Sequence, residues 1–140
     1  MKHREQWVLH TGLTVAGGLM YVLIELLWRG RSHWSMLLVG GACFQAIGTI
    51  GERCRRLPLL ARCGICSAII TAIEGISGCI LNIWLKLNVW DYSHMKWNWH
   101  GQICAVYSLL WMLLSIVACP VYRGLSRSLT EMLRRRAVTR

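Results

Sequence analysis

The chain has 140 residues, of which 55% are hydrophobic and only 16% charged, with a net charge of +10. Small water-soluble domains carry about 25% charged residues, so the balance excludes one. The apolar residues stand in long unbroken runs, the pattern of a polypeptide surrounded by lipid.

Four such runs follow one another, each near the ~20 residues that cross ~30 Å of hydrocarbon. The first extends from about Trp7 to Trp28. Its basic start resembles a signal peptide, but the run is too long and no small-x-small cleavage motif follows, so the segment is expected to be retained. The second extends from about Trp34 to Gly51 and is the shortest. The third, about Leu59 to Trp84, is long enough to tilt or kink. The fourth spans about Gly101 to Tyr122. Beyond it, "GLSRSLTEMLRRR" places Leu125, Leu129, Met132 and Leu133 on one helical face. That pattern predicts an amphipathic helix lying on the anionic inner leaflet. The expected fold is therefore an all-α membrane protein: a four-span domain over residues 1–123 and a basic tail over 124–140. The connections leave no room for a separate soluble domain.

The chain has eight Trp and one Phe. Trp prefers the membrane–water interface, where its ring is buried and its N–H stays wet. Seven of the eight (Trp7, Trp28, Trp34, Trp84, Trp90, Trp97 and Trp99) stand at or just beyond the ends of apolar runs; only Trp111 lies inside one. Orientation follows from Lys and Arg. Twelve of the sixteen fall at the N-terminus (Lys2, Arg4), in the second connection (Arg53, Arg55, Arg56, Arg62) and in the tail (Arg123, Arg127, Arg134, Arg135, Arg136, Arg140). Four (Arg29, Arg31, Lys86, Lys96) fall on the other side. The positive-inside rule places both termini in the cytoplasm. The basic residues flank spans and form no interleaved groove, which argues against nucleic acid as a partner.

A short repeat aligns "SHWSMLLVGGAC" (Ser32 to Cys43) with "SHMKWNWHGQIC" (Ser93 to Cys104), each preceded by a run containing Ile-Glu (Ile24-Glu25, Ile73-Glu74). Two helical hairpins related by an axis along the membrane normal would produce it.

Glu74 is the sharpest chemical signal, because it stands near the middle of the third run. A carboxylate at that depth costs roughly 2.5–3.5 kcal/mol on insertion scales. Its helical neighbours Ile70, Thr71, Ser77 and Gly78 offer no cation. It is either a neutral group bonding two helices or part of an ion or substrate path. Glu25 stands near the end of the first run with Arg29 four residues on, the favourable order for a helical ion pair. It either pins that helix end or, if the repeat holds, faces Glu74 and shares a proton with it. Asp91, Tyr92, Ser93 and His94 form a polar knot in which Asp91 or Ser93 suits the cap of a re-entering helix turn. Gln102, just inside the fourth run, is expected to face protein, bonding a neighbouring helix or lining a vestibule. Glu74 would be its partner if the third run kinks near Gly75 or Gly78. Ser67, Thr71, Gly75 and Cys79 make a close-packing stripe, and Gly40, Gly41 and Gly48 suit the same role. "CGIC" (Cys63 to Cys66) has redox or metal spacing, but membrane spans also use Cys as a small apolar residue; no metal or cofactor is expected.

"ELLWRGRSHWSM" (Glu25 to Met36), "IEGISGCILN" (Ile73 to Asn82) and "WDYS" (Trp90 to Ser93) followed by "N-x-x-GQIC" (Asn98 to Cys104) resemble the ABC-transporter type IV (CmpB) family of small multi-span membrane proteins. The resemblance extends from Tyr21 to about Tyr122 and also points to eukaryotic transmembrane-229 proteins. It implies residence in a bacterial cytoplasmic membrane, a transport role, and Asn98 as a further polar site residue. The chain departs from the family's pattern at Lys96-Trp97, where a proline and an apolar residue are expected, and at Gly51, where an asparagine is. No G-x-x-x-x-G-K-[ST] motif is present, so any ATPase would be another chain. Four helices are few to enclose a pore, so a homo-oligomer or a partner subunit is expected, along with lipid contacts at the tail. A transport-related subunit is thus the leading expectation. A structural or regulatory subunit is the second. An intramembrane lipid-modifying enzyme using His33, His94, Asp91 and Glu25 is the third, without a supporting catalytic motif.

Overall fold

A computed structural model describes residues 3–138. Lys2 and Arg140, counted in the charge balance, lie outside the described residues. The described residues fold into four α-helices: α1 (His3–Arg29), α2 (Ser35–Arg53), α3 (Leu59–Gly78) and α4 (Ala105–Val138). A π-helical segment, Cys79–Trp84, prolongs α3. Two short antiparallel strands, β1 (Asn98–Trp99) and β2 (Ile103–Cys104), precede α4, with Asn98 opposite Cys104 and Trp99 opposite Ile103.

Among the described residues, three helices are long and apolar enough to cross a membrane: His3–Arg29, the continuous Leu59–Trp84, and Ala105–Arg136. The second is not among them, and packing gives the reason. α2 is the interior helix, buried along most of its length, from Met36 through Cys43 and Ile47 to Ile50. It carries Gly40, Gly41, Gly48 and Gly51 and the amide of Gln45, which lower its apolarity but allow close approach. A methyl group at Gly40 would stand 2.3 Å from the Tyr21 ring stem. One at Gly48 would meet the Tyr122 ring at 2.2 Å, and one at Gly18 the Leu37 carbonyl oxygen at 2.1 Å. Lipid offers helices no hydrophobic incentive to associate, so such contacts and interhelical hydrogen bonds hold the bundle together. Gln45 supplies several: its amide donates to the His10 carbonyl at 2.7 Å and Thr14 Oγ1 at 3.0 Å, and its oxygen accepts from the Tyr122 hydroxyl at 3.0 Å. The small-residue stripe of α3 meets α4, where Ser67 donates to the Ser108 carbonyl and Thr71 pairs with the Ser108 hydroxyl at 2.8 Å.

Several expectations change. The fourth helix begins at Ala105, not at Gly101, because the Gly101 backbone turns at φ +69 into the β1–β2 hairpin. The tail is not a separate helix: α4 runs through Pro120 to Val138. Its Leu125 and Leu129 pack on Leu13, Phe44 and Tyr122, so this part of the apolar face meets α1 and α2; Met132 remains exposed. The aligned repeat segments differ in conformation, since Ser35–Cys43 is helical whereas residues 93–104 form turns and the hairpin. Six of the seven end-placed tryptophans are exposed, and Trp90 is buried. Cys63 and Cys66 are fully buried free thiols.

Candidate functional site

The polar residues gather where the C-terminal ends of α1 and α3 meet the connection that follows Trp84. The loop Leu85–Trp97 has three non-glycine residues at positive φ, Lys86, Asn88 and Trp97, and the hairpin turn that follows adds His100. Such backbone persists only when its surroundings impose it. Asn82 does much of the imposing. Its oxygen accepts the Val89 N–H at 2.7 Å, and its amide donates to the Trp90 carbonyl at 3.0 Å and to Gln102 Oε1 at 2.9 Å. The π-helical turn that carries Asn82 is a common device at functional sites. Gln102, 6% exposed, also donates to the His100 carbonyl at 2.9 Å, while its own carbonyl accepts the Trp90 indole N–H at 3.0 Å. Its partner is therefore Asn82 and not Glu74. It lies in the turn before β2, outside α4.

Asp91, Ser93 and Asn98 build the rest of the loop. Asp91 Oδ1 accepts the Ser93 N–H at 2.8 Å, so Asp91 closes a turn and caps no helix. Those contacts with Ser93 hold its exposed carboxyl below the usual carboxylate range. Asn98 donates to the Met95 carbonyl at 2.6 Å and accepts the Gly101 N–H at 3.0 Å. His94 is exposed. The loop sends Val89, Trp90 and Tyr92 inward, and Tyr92 stacks on Tyr107 with ring centroids 4.4 Å apart.

Glu74 is 2% exposed. Its Oε2 accepts the Trp111 indole N–H at 2.8 Å, and its Oε1 is 3.5 Å from the Tyr92 hydroxyl, the outer limit of a hydrogen bond. Both donors are neutral. Burial, then the neighbouring Glu74 carboxylate, push the Tyr92 phenol well above its ordinary range, so it stays an O–H donor. Glu25 has its own partners: Arg29 Nη2 at 2.5 Å and the Ser32 hydroxyl at 2.7 Å. Arg29 also reaches the Val89 carbonyl at 3.4 Å, tying α1 to the loop. Each carboxyl thus has a separate donor set, and among the described residues no hydrogen bond joins Glu25 to Glu74. A cavity of about 320 Å³ lies beside them; Glu25, Arg29, Tyr92 and Trp111 are among its walls.

The four residues considered for lipid chemistry do not converge on a common partner. His33 bonds Ser35 at 2.7 Å at the start of α2, and Glu25 and Asp91 are engaged as described. Sequence reasoning missed Asn82, Trp111, Tyr21 and Gln45. Trp111 did carry a signal, as the one tryptophan inside an apolar run; its ring stacks on Tyr21 at 5.6 Å. Asn82 and Gln45 were amides inside or at the end of such runs, the same signal that singled out Gln102.

A family model described as "Putative ABC-transporter type IV" matches residues 15–139. No curated protein and no solved structure matches the chain.

Proposed function

The chain belongs to the Putative ABC-transporter type IV family, and from that premise we propose a transport-related membrane subunit in which Glu74 responds to protons or cations. The observation that carries this reading is the burial of Glu74 among neutral donors, Trp111 and Tyr92, with no cation bonded to it among the described residues. A carboxyl so placed changes its hydrogen bonding whenever a proton or metal ion arrives or leaves. Tyr92 would carry that change into the loop, and Asn82, Gln102, Asp91, Ser93 and Asn98 would hold the loop in register over the site. His94 would stand at its entrance.

In this reading α2 is a fourth span, shielded from lipid by its neighbours, and both termini are in the cytoplasm of a bacterial cell. The basic tail contacts the anionic inner leaflet through its arginines. Activity then requires a second copy or a partner subunit, and any ATP hydrolysis belongs to another chain. The test is flux: with the chain in sealed vesicles containing a pH- or cation-sensitive dye, Glu74→Gln and Glu74→Ala are expected to abolish movement seen in the parent. Unchanged flux in both variants, or none in the parent, defeats the proposal.

One observation favours a second reading, a non-transporting structural subunit. Glu74 already has a good hydrogen bond from Trp111, which a glutamine oxygen would accept equally well. Tolerance of Glu74→Gln, with a stoichiometric partner on purification, would support that alternative.

A further inference from the structure

The cavity beside Glu25 and Arg29 is left unused by the proposed function. α1 and α4 meet at one end, where Leu13 packs with Tyr122, Leu125 and Leu129. At the other end they part around this cavity of about 320 Å³. Its floor is the Tyr21–Trp111 stack and its roof includes Tyr92 and Tyr107. Its side is not sealed. Among its lining residues Trp28 is 71% exposed and Leu113 60%, and Ile24 and Leu110 are exposed as well. The result is a cleft that opens sideways between two long apolar helices.

An apolar cleft of this size attracts an apolar guest; even an engineered cavity of about 150 Å³ takes up benzene. Within a bilayer the guest at hand is an acyl chain. The drop from Arg29 to Tyr21 is about 12 Å along the helix, ample for a stretch of one chain. The mouth holds the Glu25–Arg29 ion pair. Arg29 lines it, and a guanidinium has five N–H donors, of which one bonds Glu25 and one the Val89 carbonyl. The remaining donors suit phosphate oxygens, which arginine binds better than any other side chain. Exposed Arg31 and Lys86 add positive charge on the connections at this end.

The geometry points to a phospholipid site: the phosphodiester rests on Arg29 while one acyl chain fills the cleft between α1 and α4. The site depends on the membrane setting and not on any response of Glu74, so the two proposals fail separately. Native mass spectrometry of the full chain, purified in detergent and titrated with dioleoylphosphatidylglycerol or dioleoylglycerol, tests it. The phospholipid is expected to give a single retained adduct and the diacylglycerol, with the same chains and no phosphate, none.

Arg29→Gln should weaken retention about tenfold, the typical worth of charge-assisted hydrogen bonds. Leu110→Trp, which fills the cleft without touching the ion pair, should abolish it. Leu19→Trp, on an exposed position outside the cavity walls, should leave it unchanged. Should Arg29→Gln fail to fold because Glu25 loses its partner, Leu110→Trp still decides. Equal retention of diacylglycerol, or full retention by Leu110→Trp, would overturn the site.

Discussion

Trp111→Phe tests how Glu74 is held. The substitution keeps a ring against Tyr21 but removes the indole N–H that reaches Glu74 Oε2 at 2.8 Å. What remains is the Tyr92 hydroxyl at 3.5 Å, a marginal donor for a group only 2% exposed. A buried acceptor deprived of its good partner costs about 1–3 kcal/mol. Glu74→Leu, which removes the acceptor as well, relieves most of that cost, so the double variant should be less unstable than the sum of the singles by about 1 kcal/mol or more. Thermal unfolding of the four proteins in one detergent, followed by circular dichroism, closes the cycle. If the two changes add within about 0.5 kcal/mol, the Trp111–Glu74 bond contributes nothing and the account of the site is wrong.

Asn82→Ala should cost about 2–4 kcal/mol, since it strips three hydrogen bonds from Val89, Trp90 and Gln102; hydrogen exchange should rise across residues 85–104 and stay unchanged in α2. Gly78→Ala puts a methyl group 2.5 Å from Gln102 Oε1 and 3.1 Å from the Trp90 ring, a clash expected to cost about 1–3 kcal/mol in thermal unfolding. Gly64→Ala meets nothing within 4 Å and should be neutral or gain up to about 1 kcal/mol from helix propensity. Burial and Glu74 raise the Tyr92 phenol, so the fold favours its neutral form. That contribution is fully present below the ordinary phenol value of about 10 and is lost as pH rises through the higher folded value; Tyr92→Phe should flatten the alkaline loss of stability.

The three helices long and apolar enough to cross a membrane were legible because a long apolar run is read without knowledge of its neighbours. α1 and Leu59–Trp84 follow the expected runs closely. α2 strained that reading because an interior helix trades apolarity for glycine: Gly40 and Gly48 are there for the rings of Tyr21 and Tyr122, which lie far away in sequence. The Glu25–Arg29 pair was readable because it is local, four residues apart on one helix. The partners of Glu74 were not, since Tyr92 and Trp111 come from a loop and another helix. Gln102 was correctly expected to face protein but was assigned to a span, because a buried hairpin and a helix start share the same apolar composition. The tail misled for a related reason: an amphipathic face fits a lipid surface or α1 equally well, and only the fold shows that Leu125 and Leu129 meet Leu13.

The most direct measurement is difference infrared spectroscopy of the chain in lipid, comparing the parent with Glu74→Gln as pH and sodium concentration are stepped. The account predicts a carboxyl band that is missing from Glu74→Gln and that changes in the parent with protons or sodium. A band that stays fixed under every step, or parent and variant difference spectra that coincide, would contradict it.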